Sequence, residues 1–275
     1  METGNRTRGK AILILLSVSL AAMLMLAGLR GGIGSGSAEA AAPVSSVLAA
    51  GGTADLQNSL TLLTALSRKA MSPSSPLRLI LKWQGVYAGP AGQAGANVQT
   101  LADELGSGKI TRAEKDGHST YRAETLDTAG TRKSLFWSEL ADGTSYVIVT
   151  YETADLQQAD SGLQAAAVSA GTVLQRRGVA AEWNVALQGM AQEGADPRAA
   201  LHRTQLSVAG LLPQMGIAES YDDEATSSGS YTLPGQDRFV TSGDHSIAMQ
   251  LAIHRDGETD RNRMTIGLPL ITIEY

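Results

Sequence analysis

The stretch that decides the fold is Leu77–Tyr87 (LRLILKWQGVY), in which large apolar residues at alternate positions are separated mostly by polar ones. A period of two residues is typical of a strand with one buried face. A second stretch, Val179–Leu187 (VAAEWNVAL), has a similar pattern and carries Trp183 one hundred positions after Trp83. A Gln-Gly pair follows each tryptophan. The two stretches therefore predict equivalent first strands in two similar units.

The residues after the first stretch predict a helix, four short strands and a second helix. Apolar residues at helical spacing up to Leu105 mark the first helix, and Gly106 is its expected end. Asp-Gly pairs between alternating segments predict tight hairpins. The predicted strands are 110–114, 119–127, 132–140 and 145–151, and a helix from Asp155 ends at Arg176-Arg177-Gly178.

The same order of elements recurs from Val179 onward. Asp196-Pro197 predicts a helix cap followed by proline at the first helical position. Strands are then predicted at 217–224, 230–233, 246–255 and 263–275, with no closing helix. The last strand is expected to run to Tyr275, so that removal of the last five residues would unfold the second unit. A leading helix over 53–70 is expected to pack where the second unit lacks its helix.

A duplicated β-α-β4-α unit predicts an α+β protein with antiparallel sheets covered by helices on one face. The domain would span 53–275, with repeat one over 77–178 and repeat two over 179–275. Pairing of the two sheets side by side would give a long curved surface with pseudo-twofold symmetry.

The residues before the domain predict export. Ala11–Leu29 is an uncharged run of nineteen residues, and as a helix it would span roughly 28 Å, about the thickness of a hydrocarbon core. Basic residues precede this run, which predicts a cytoplasmic N-terminus and an extracytoplasmic body. A small-residue site at Ala38-Glu39-Ala40 leaves a cleaved signal open beside a retained anchor over 1–29. The Gly, Ala and Ser of 30–52 predict a flexible tether.

Composition restricts the chemistry. The 275 residues include no Cys, which excludes disulfides, thiolate zinc sites and a cysteine nucleophile. From residue 41 onward 18 basic residues face 25 acidic ones. An acidic body repels phosphate backbones and anionic lipid headgroups, so we expect no nucleic-acid partner.

The sequence assigns no catalytic, cofactor-binding or metal-binding residue. The four histidines lack the spacing of zinc hydrolases, and two of them are expected on one strand, far apart. Gly243-Asp244-His245 predicts a surface turn, and Asp222-Asp223-Glu224 predicts a solvated acidic turn rather than a calcium loop. The histidines are His118, His202, His245 and His254, and the residues predicted as core are Trp83, Trp137, Trp183 and Phe136.

The last eight residues, Leu268–Tyr275 (LPLITIEY), resemble the C-terminal signature of the YwmB family, extracytoplasmic proteins of spore-forming Gram-positive bacteria. The anchor-like N-terminus and the two Trp-bearing strands agree with this resemblance. It implies a TATA-box-binding-protein-like fold over roughly residues 50 to 275. It brings no catalytic residues and no defined molecular function.

These features favour a membrane-tethered or secreted extracytoplasmic module that binds an envelope protein or peptide through its sheet. An envelope enzyme or ligand-binding protein acting on cell-wall material is the alternative, and it would need convergent polar residues in a cleft. DNA binding of the TATA-box type is a third possibility. It would need a basic sheet with apolar wedges, whereas Phe136 and Phe239 are the only phenylalanines.

Overall fold

The computed structural model describes residues 48–89, 93–115, 117–159, 162–192 and 196–273. The predicted signal or anchor over 1–29 lies outside the described residues, as does most of the predicted tether. None of the helices in the described ranges combines the length and the apolar character that crossing a membrane requires.

The described part of the chain contains four helices and twelve strands. The helices are α1 (Leu48–Ala70), α2 (Ala94–Leu105), α3 (Leu163–Arg176) and α4 (Pro197–Val208). The strands of the first half are β1 (Arg78–Tyr87), β2 (Thr111–Lys115), β3 (His118–Leu126), β4 (Thr131–Glu139) and β5 (Ser145–Thr153). Those of the second half are β6 (Val179–Met190), β7 (Gly216–Asp222), β8 (Thr226–Thr232), β9 (Val240–Ser242), β10 (His245–Ile247), β11 (Met249–Arg255) and β12 (Asn262–Leu268).

Ten strands form one antiparallel sheet in the order β2-β3-β4-β5-β1-β6-β12-β11-β8-β7, and β9 and β10 form a separate hairpin. At the centre β1 pairs with β6, with Trp83 directly opposite Trp183. On one side of this pair the strands follow in the order β5, β4, β3 and β2, and on the other side in the order β12, β11, β8 and β7. The edge strands are therefore β2 and β7. The prediction of an α+β protein with an antiparallel sheet is confirmed, and the two predicted sheets are one continuous sheet.

The helices cover one face of the sheet. In β1 the side chains of Leu79, Leu81 and Trp83 belong to the buried core together with residues of all four described helices. The Trp83 Nε1–H donates to the Ala167 carbonyl of α3 at 2.7 Å. Gly171 of α3 lies over the same indole, because a Cβ there would come within 2.4 Å of the ring. Residues at the alternate strand positions point away from these helices, and we call that side the open face.

Helix α1 packs on the β6–β12 part of the sheet and against two other helices. It contacts β6, β12, α3 and α4, and its leucines belong to the core. Those leucines are Leu56, Leu60, Leu63 and Leu66. The helix begins at Leu48 rather than at Thr53, so the end of the predicted tether is helical although it includes Gly51 and Gly52, which disfavour a helix.

Three other predicted elements are wrong in their bounds, among them the strand predicted at 230–233, which is Thr226–Thr232. Helix α3 begins at Leu163 because Asp155 belongs to a turn after β5, where its carboxylate accepts from the Leu77 and Gln157 amides at 3.3 and 3.1 Å. The predicted strand 246–255 is two strands, β10 and β11, separated at Ala248.

The two Gln-Gly pairs are not equivalent in the sheet. Gln84 lies opposite Glu182, whereas Gln188 lies opposite Arg78. Of these repeated features, only Trp83 and Trp183 lie opposite one another.

Strand β12 ends at Leu268, so the predicted strand through Tyr275 is wrong. Pro269 has no N–H with which to continue a ladder. Residues 269–273 continue beyond the end of β12 and lie over the open face. We call them the crossing segment. Gly267 permits this path, because a Cβ there would lie 2.5 Å from the Leu270 carbonyl carbon. Glu274 and Tyr275 lie outside the described residues.

Candidate binding site on the open face

The four histidines do not come together. His118 and His202 are exposed, and His245 is exposed on β10. His254 is half-buried on β11, where its Nδ1 lies 3.0 Å from the Thr226 hydroxyl. The expectation that His245 and His254 share a strand is wrong, because Ala248 separates β10 from β11. Within the described ranges no cluster of three metal-binding side chains is found.

The two predicted turns are surface turns. Gly243, Asp244 and His245 are all exposed where β9 and β10 meet. In the acidic turn, Asp222 accepts from Arg198 at 2.9 Å, and Asp223 accepts from the Tyr221 hydroxyl at 2.8 Å.

These hydrogen bonds hold the pKa of both carboxyls below the usual range, the Arg198 bond being the largest cause for Asp222 and the Tyr221 bond for Asp223. The carboxylates are therefore engaged within the protein, as a structural turn requires.

The tryptophans are core residues, as predicted, and Phe136 is not. Trp83, Trp137 and Trp183 are at most 3% exposed under the helices. Phe136 lies opposite Ile148 and Arg122 in the sheet, half-buried on the open face, with the Arg122 guanidinium 5.3 Å from its ring centre. The strand alternation places its neighbours Leu135 and Trp137 in the core and turns Phe136 outward.

The centre of the open face holds a piece of the chain's own backbone, the crossing segment. The Ile271 amide donates to Gln250 Oε1 of β11 at 2.9 Å, and Lys82 Nζ of β1 donates to the Thr272 carbonyl. Strands β12 and β6 lie between the two anchoring strands, and Leu270 of the segment lies close to Gly267. Both anchors bind main-chain atoms of the crossing segment.

Asn184 lies directly opposite Lys82 on β6 and is 1% exposed although no described helix covers this face. The crossing segment is anchored next to it, through the bond from Lys82 to the Thr272 carbonyl. Neither the amide nitrogen nor the amide oxygen of Asn184 has a hydrogen-bond partner. A buried amide without partners is destabilising, and such a group marks a place where a ligand can gain hydrogen bonds.

The polar residues around Asn184 are paired with one another. Gln188 donates to the Thr265 hydroxyl at 3.0 Å, and Gln250 donates to Ser230 at 3.0 Å. We call this group of residues the central strip and define it as Lys82, Asn184, Gln188, Gln250 and Thr265. Asn184 is the residue of the central strip whose polar side-chain atoms lack hydrogen-bond partners.

Charged groups flank the central strip as ion pairs. Arg78 pairs with Glu152 at 2.7 Å on one side, and Arg238 pairs with Glu182 at 3.0 Å on the other. Burial lowers the pKa of Arg238, and the nearby Glu182 opposes that shift. Burial, followed by the Glu182 charge, raises the pKa of Tyr146. The flanks thus present balanced charge and neutral hydroxyl groups rather than a field of one sign.

A groove of about 310 Å³ lies away from this strip, near the end of α1 and along α4. Ala70, Ala191, Gln192, Arg203 and Leu206 are among its lining residues. Its walls hold no combination of acid, base and nucleophile, so the groove supplies no catalytic set.

Sequence reasoning missed Lys82, Asn184 and Gln250 as site residues. The available signal was the polar half of the strand pattern, since Lys82 and Asn184 are sequence neighbours of the paired tryptophans. Nothing in the sequence alone shows that a later segment folds over them, because that contact joins residues 190 positions apart.

Comparisons with known proteins add little. No protein-family model matches the chain, and no curated protein matches it. DynU16, a protein of the dynemicin biosynthetic locus, is 11% identical over 68% of this chain and 85% of its own, with a TM-score of 0.20. The di-domain ARO/CYC protein StfQ of the steffimycin pathway is 12% identical over 68% and 82%, with a TM-score of 0.18. Likenesses of this size carry no weight for fold or function.

Proposed function

We propose that the chain is a membrane-tethered or secreted extracytoplasmic interaction module of the cell envelope, which binds another envelope protein or a peptide through the open face. The observation that carries the proposal is the crossing segment. Side chains of β1 and β11 hold its main chain in place by bonding a carbonyl and an amide. Export is supported by the basic residues and the apolar run at the N-terminus.

The face is a better candidate than the edges of the sheet. Edge strand β7 carries a bulge between Ile217 and Glu219, and edge strand β2 carries the exposed charges of Arg112 and Glu114. Bulges and charged side chains are devices that keep an edge from pairing with another strand. Strand addition at an edge is therefore disfavoured, and the proposal assigns the partner to the face.

The charges on the open face support a protein partner over a nucleic acid. Arg78 and Arg132 are neutralised by Glu152 and Glu124 at 2.7 and 3.1 Å. Affinity for a phosphate backbone depends on unneutralised basic side chains. Phe136 lies on this face. Apolar side chains that insert between DNA bases, as in TATA-box-binding proteins, act together with a basic surface, however.

We further propose that the two halves are a duplicated β-α-β4-α unit of the TATA-box-binding-protein-like type, and that the chain is similar to the YwmB family. The shared strand order around the β1–β6 pair and the position of α1 support the duplication. Fold similarity of this kind transfers no molecular function.

Site-specific photo-crosslinking in native cells tests the proposed function. A photo-reactive residue at Thr150 on the open face is expected to capture one recurrent extracytoplasmic protein, and Ser134 on the same face is expected to capture the same one. The matched control is Gln164, which is exposed on α3 of the helix-covered side. Identical products from all three positions, or none from Thr150 and Ser134, would show that the open face is not the binding surface.

Protease digestion of intact protoplasts tests the compartment. The body is expected to be cleaved from outside, or to be present in the medium if a signal is removed. Full protection until the membrane is lysed would contradict the proposed extracytoplasmic location.

A further inference from the structure

We infer that the crossing segment, residues 269–273, is an exchangeable occupant of a peptide-binding site, displaced when an extended peptide of the partner binds. This inference deepens the proposed function and rests on it for the identity of the partner. The ligand class is an unmodified extended peptide with apolar side chains, read mainly through its main chain.

The anchors explain why another peptide could take the same place. Lys82 binds a carbonyl and Gln250 binds an amide N–H, and every peptide in an extended conformation offers both groups. Recognition of backbone groups gives affinity, while side-chain contacts give preference. Leu270, Ile271 and Ile273 are half-buried on the face, so apolar residues at these positions are the expected preference.

Asn184 shows that the resident segment is an imperfect ligand. Its amide is buried beside the Lys82 anchor, and both of its polar atoms lack a partner. A peptide that places a hydrogen-bonding group over Asn184 satisfies this amide, which the crossing segment does not. The partner therefore has an energetic advantage over the resident segment at this position.

Departure of the crossing segment leaves the sheet complete. β12 ends at Leu268, and its pairs with β6 and β11 all lie before the segment begins. Met264, Ile266 and Leu268 of β12 are buried in the core on the opposite face. The segment can leave without breaking a strand pair, as an exchangeable occupant must.

Fluorescence anisotropy with a labelled synthetic peptide tests the exchange. The probe has the sequence of residues 268–275, and the protein is either the full chain or a chain lacking residues 270–275. The shortened chain is expected to bind the probe at least tenfold more tightly than the full chain. Methylation of the Ile271 amide in the probe, which removes the hydrogen accepted by Gln250, is expected to abolish most of that binding.

Variants of the shortened chain test whether the same anchors are used. Lys82→Met is expected to weaken probe binding at least tenfold, and Lys109→Met, an exposed lysine of the α2–β2 connection, is expected to leave it unchanged. Equal affinity of the full and shortened chains, no binding to either, or equal effects of the two substitutions would overturn the inference. Circular dichroism of each variant verifies that it is folded.

A second measurement uses the full chain and does not depend on the shortened one. Asn184→Leu replaces the unpaired amide by an apolar side chain of similar size, so Tm is expected to rise. A fall in Tm would show that the amide is satisfied, and the argument for exchange would fail.

The two proposals fail in different ways. Probe binding that requires Lys82, without a crosslinked envelope protein, would leave the exchange intact and remove the proposed function. A crosslinked partner whose yield is the same in the full and shortened chains would leave the proposed function intact and remove the exchange.

Discussion

Glu104 lies between two arginines at the point where α2 and α3 end. Its carboxylate binds Arg176 at 2.8 Å and also binds Arg177. The hydrogen bond from Arg177, followed by that from Arg176, lowers the pKa of Glu104 from 4.5 to about 2. Because the folded value lies below the ordinary one, the interaction stabilises the fold above pH 4.5 and is lost as the pH falls through about 2.

Glu104→Gln is therefore expected to lower the free energy of unfolding at neutral pH, with a difference from the parent that shrinks on acidification. Urea unfolding at several pH values between 7 and 2 measures this. Glu224→Gln, in an exposed turn, is the control and is expected to behave like the parent throughout. A Glu104→Gln difference that stays constant with pH would contradict the assignment.

Gly171 provides the space for the Trp83 indole. A Cβ at this position would come within 2.4 Å of the ring, so Gly171→Ala forces the helix or the indole to move. Overpacking of this kind costs about 1–3 kcal/mol. Urea unfolding of Gly171→Ala measures the cost, and Gly210→Ala, where nothing lies within 4 Å, is the matched control with no loss expected.

At the scale of single residues, the alternation of apolar and polar positions predicted which tryptophans are buried. The same alternation, applied strictly, would have turned Phe136 away from Leu135 and Trp137, but the apolar run suggested a shared core. The role of Lys82 was beyond prediction, because its partner Thr272 is far away in sequence.

Strand β12 is the element on which sequence and structure differ most. Its β-branched residues continue past Pro269, and the sequence therefore predicts strand to residue 275. The structure ends β12 at Leu268 and turns the following residues onto the open face. Local β-propensity does not distinguish a ladder from an extended segment held by side chains.

A chain lacking residues 270–275 is accordingly expected to stay folded, in contrast to the unfolding that a strand through Tyr275 would imply. Amide hydrogen exchange is the appropriate measurement. Amides of β12 that bond to β6 and β11 should keep their protection, and Tm should fall by only a few degrees, since half-buried contacts are lost. Loss of protection along β12 would show that the crossing segment supports the strand.

The other elements were predictable to the extent that their signals are local. Asp196 caps α4 by accepting from the Ala199 amide at 3.1 Å, as the Asp-Pro pair predicts. Asp155 is the same type of residue, but its carboxylate accepts from the Leu77 amide, just before β1, and it caps no helix. The hairpin β9–β10 has only three residues in each strand, which is too short for a periodic signal.

For the molecule as a whole, the sequence predicted an α+β protein with a helix before the first strand, but not the β9–β10 hairpin. It predicted two sheets that could pair side by side, and the pairing of β1 with β6 joins them into one. That pairing involves backbone groups of segments about a hundred residues apart, and nothing in either strand specifies its neighbour.

The central pair of strands has a consequence for the half-molecule. β1 and β6 are antiparallel with Trp83 directly opposite Trp183, so the two tryptophans are related by the local twofold axis of the strand pair. An edge that can face its own equivalent is self-complementary. Residues 77–178 on their own would thus expose the edge of β1, whose backbone groups could pair with another antiparallel strand. Covalent linkage of the two halves makes that pairing intramolecular, so β6 covers the edge of β1 within one chain.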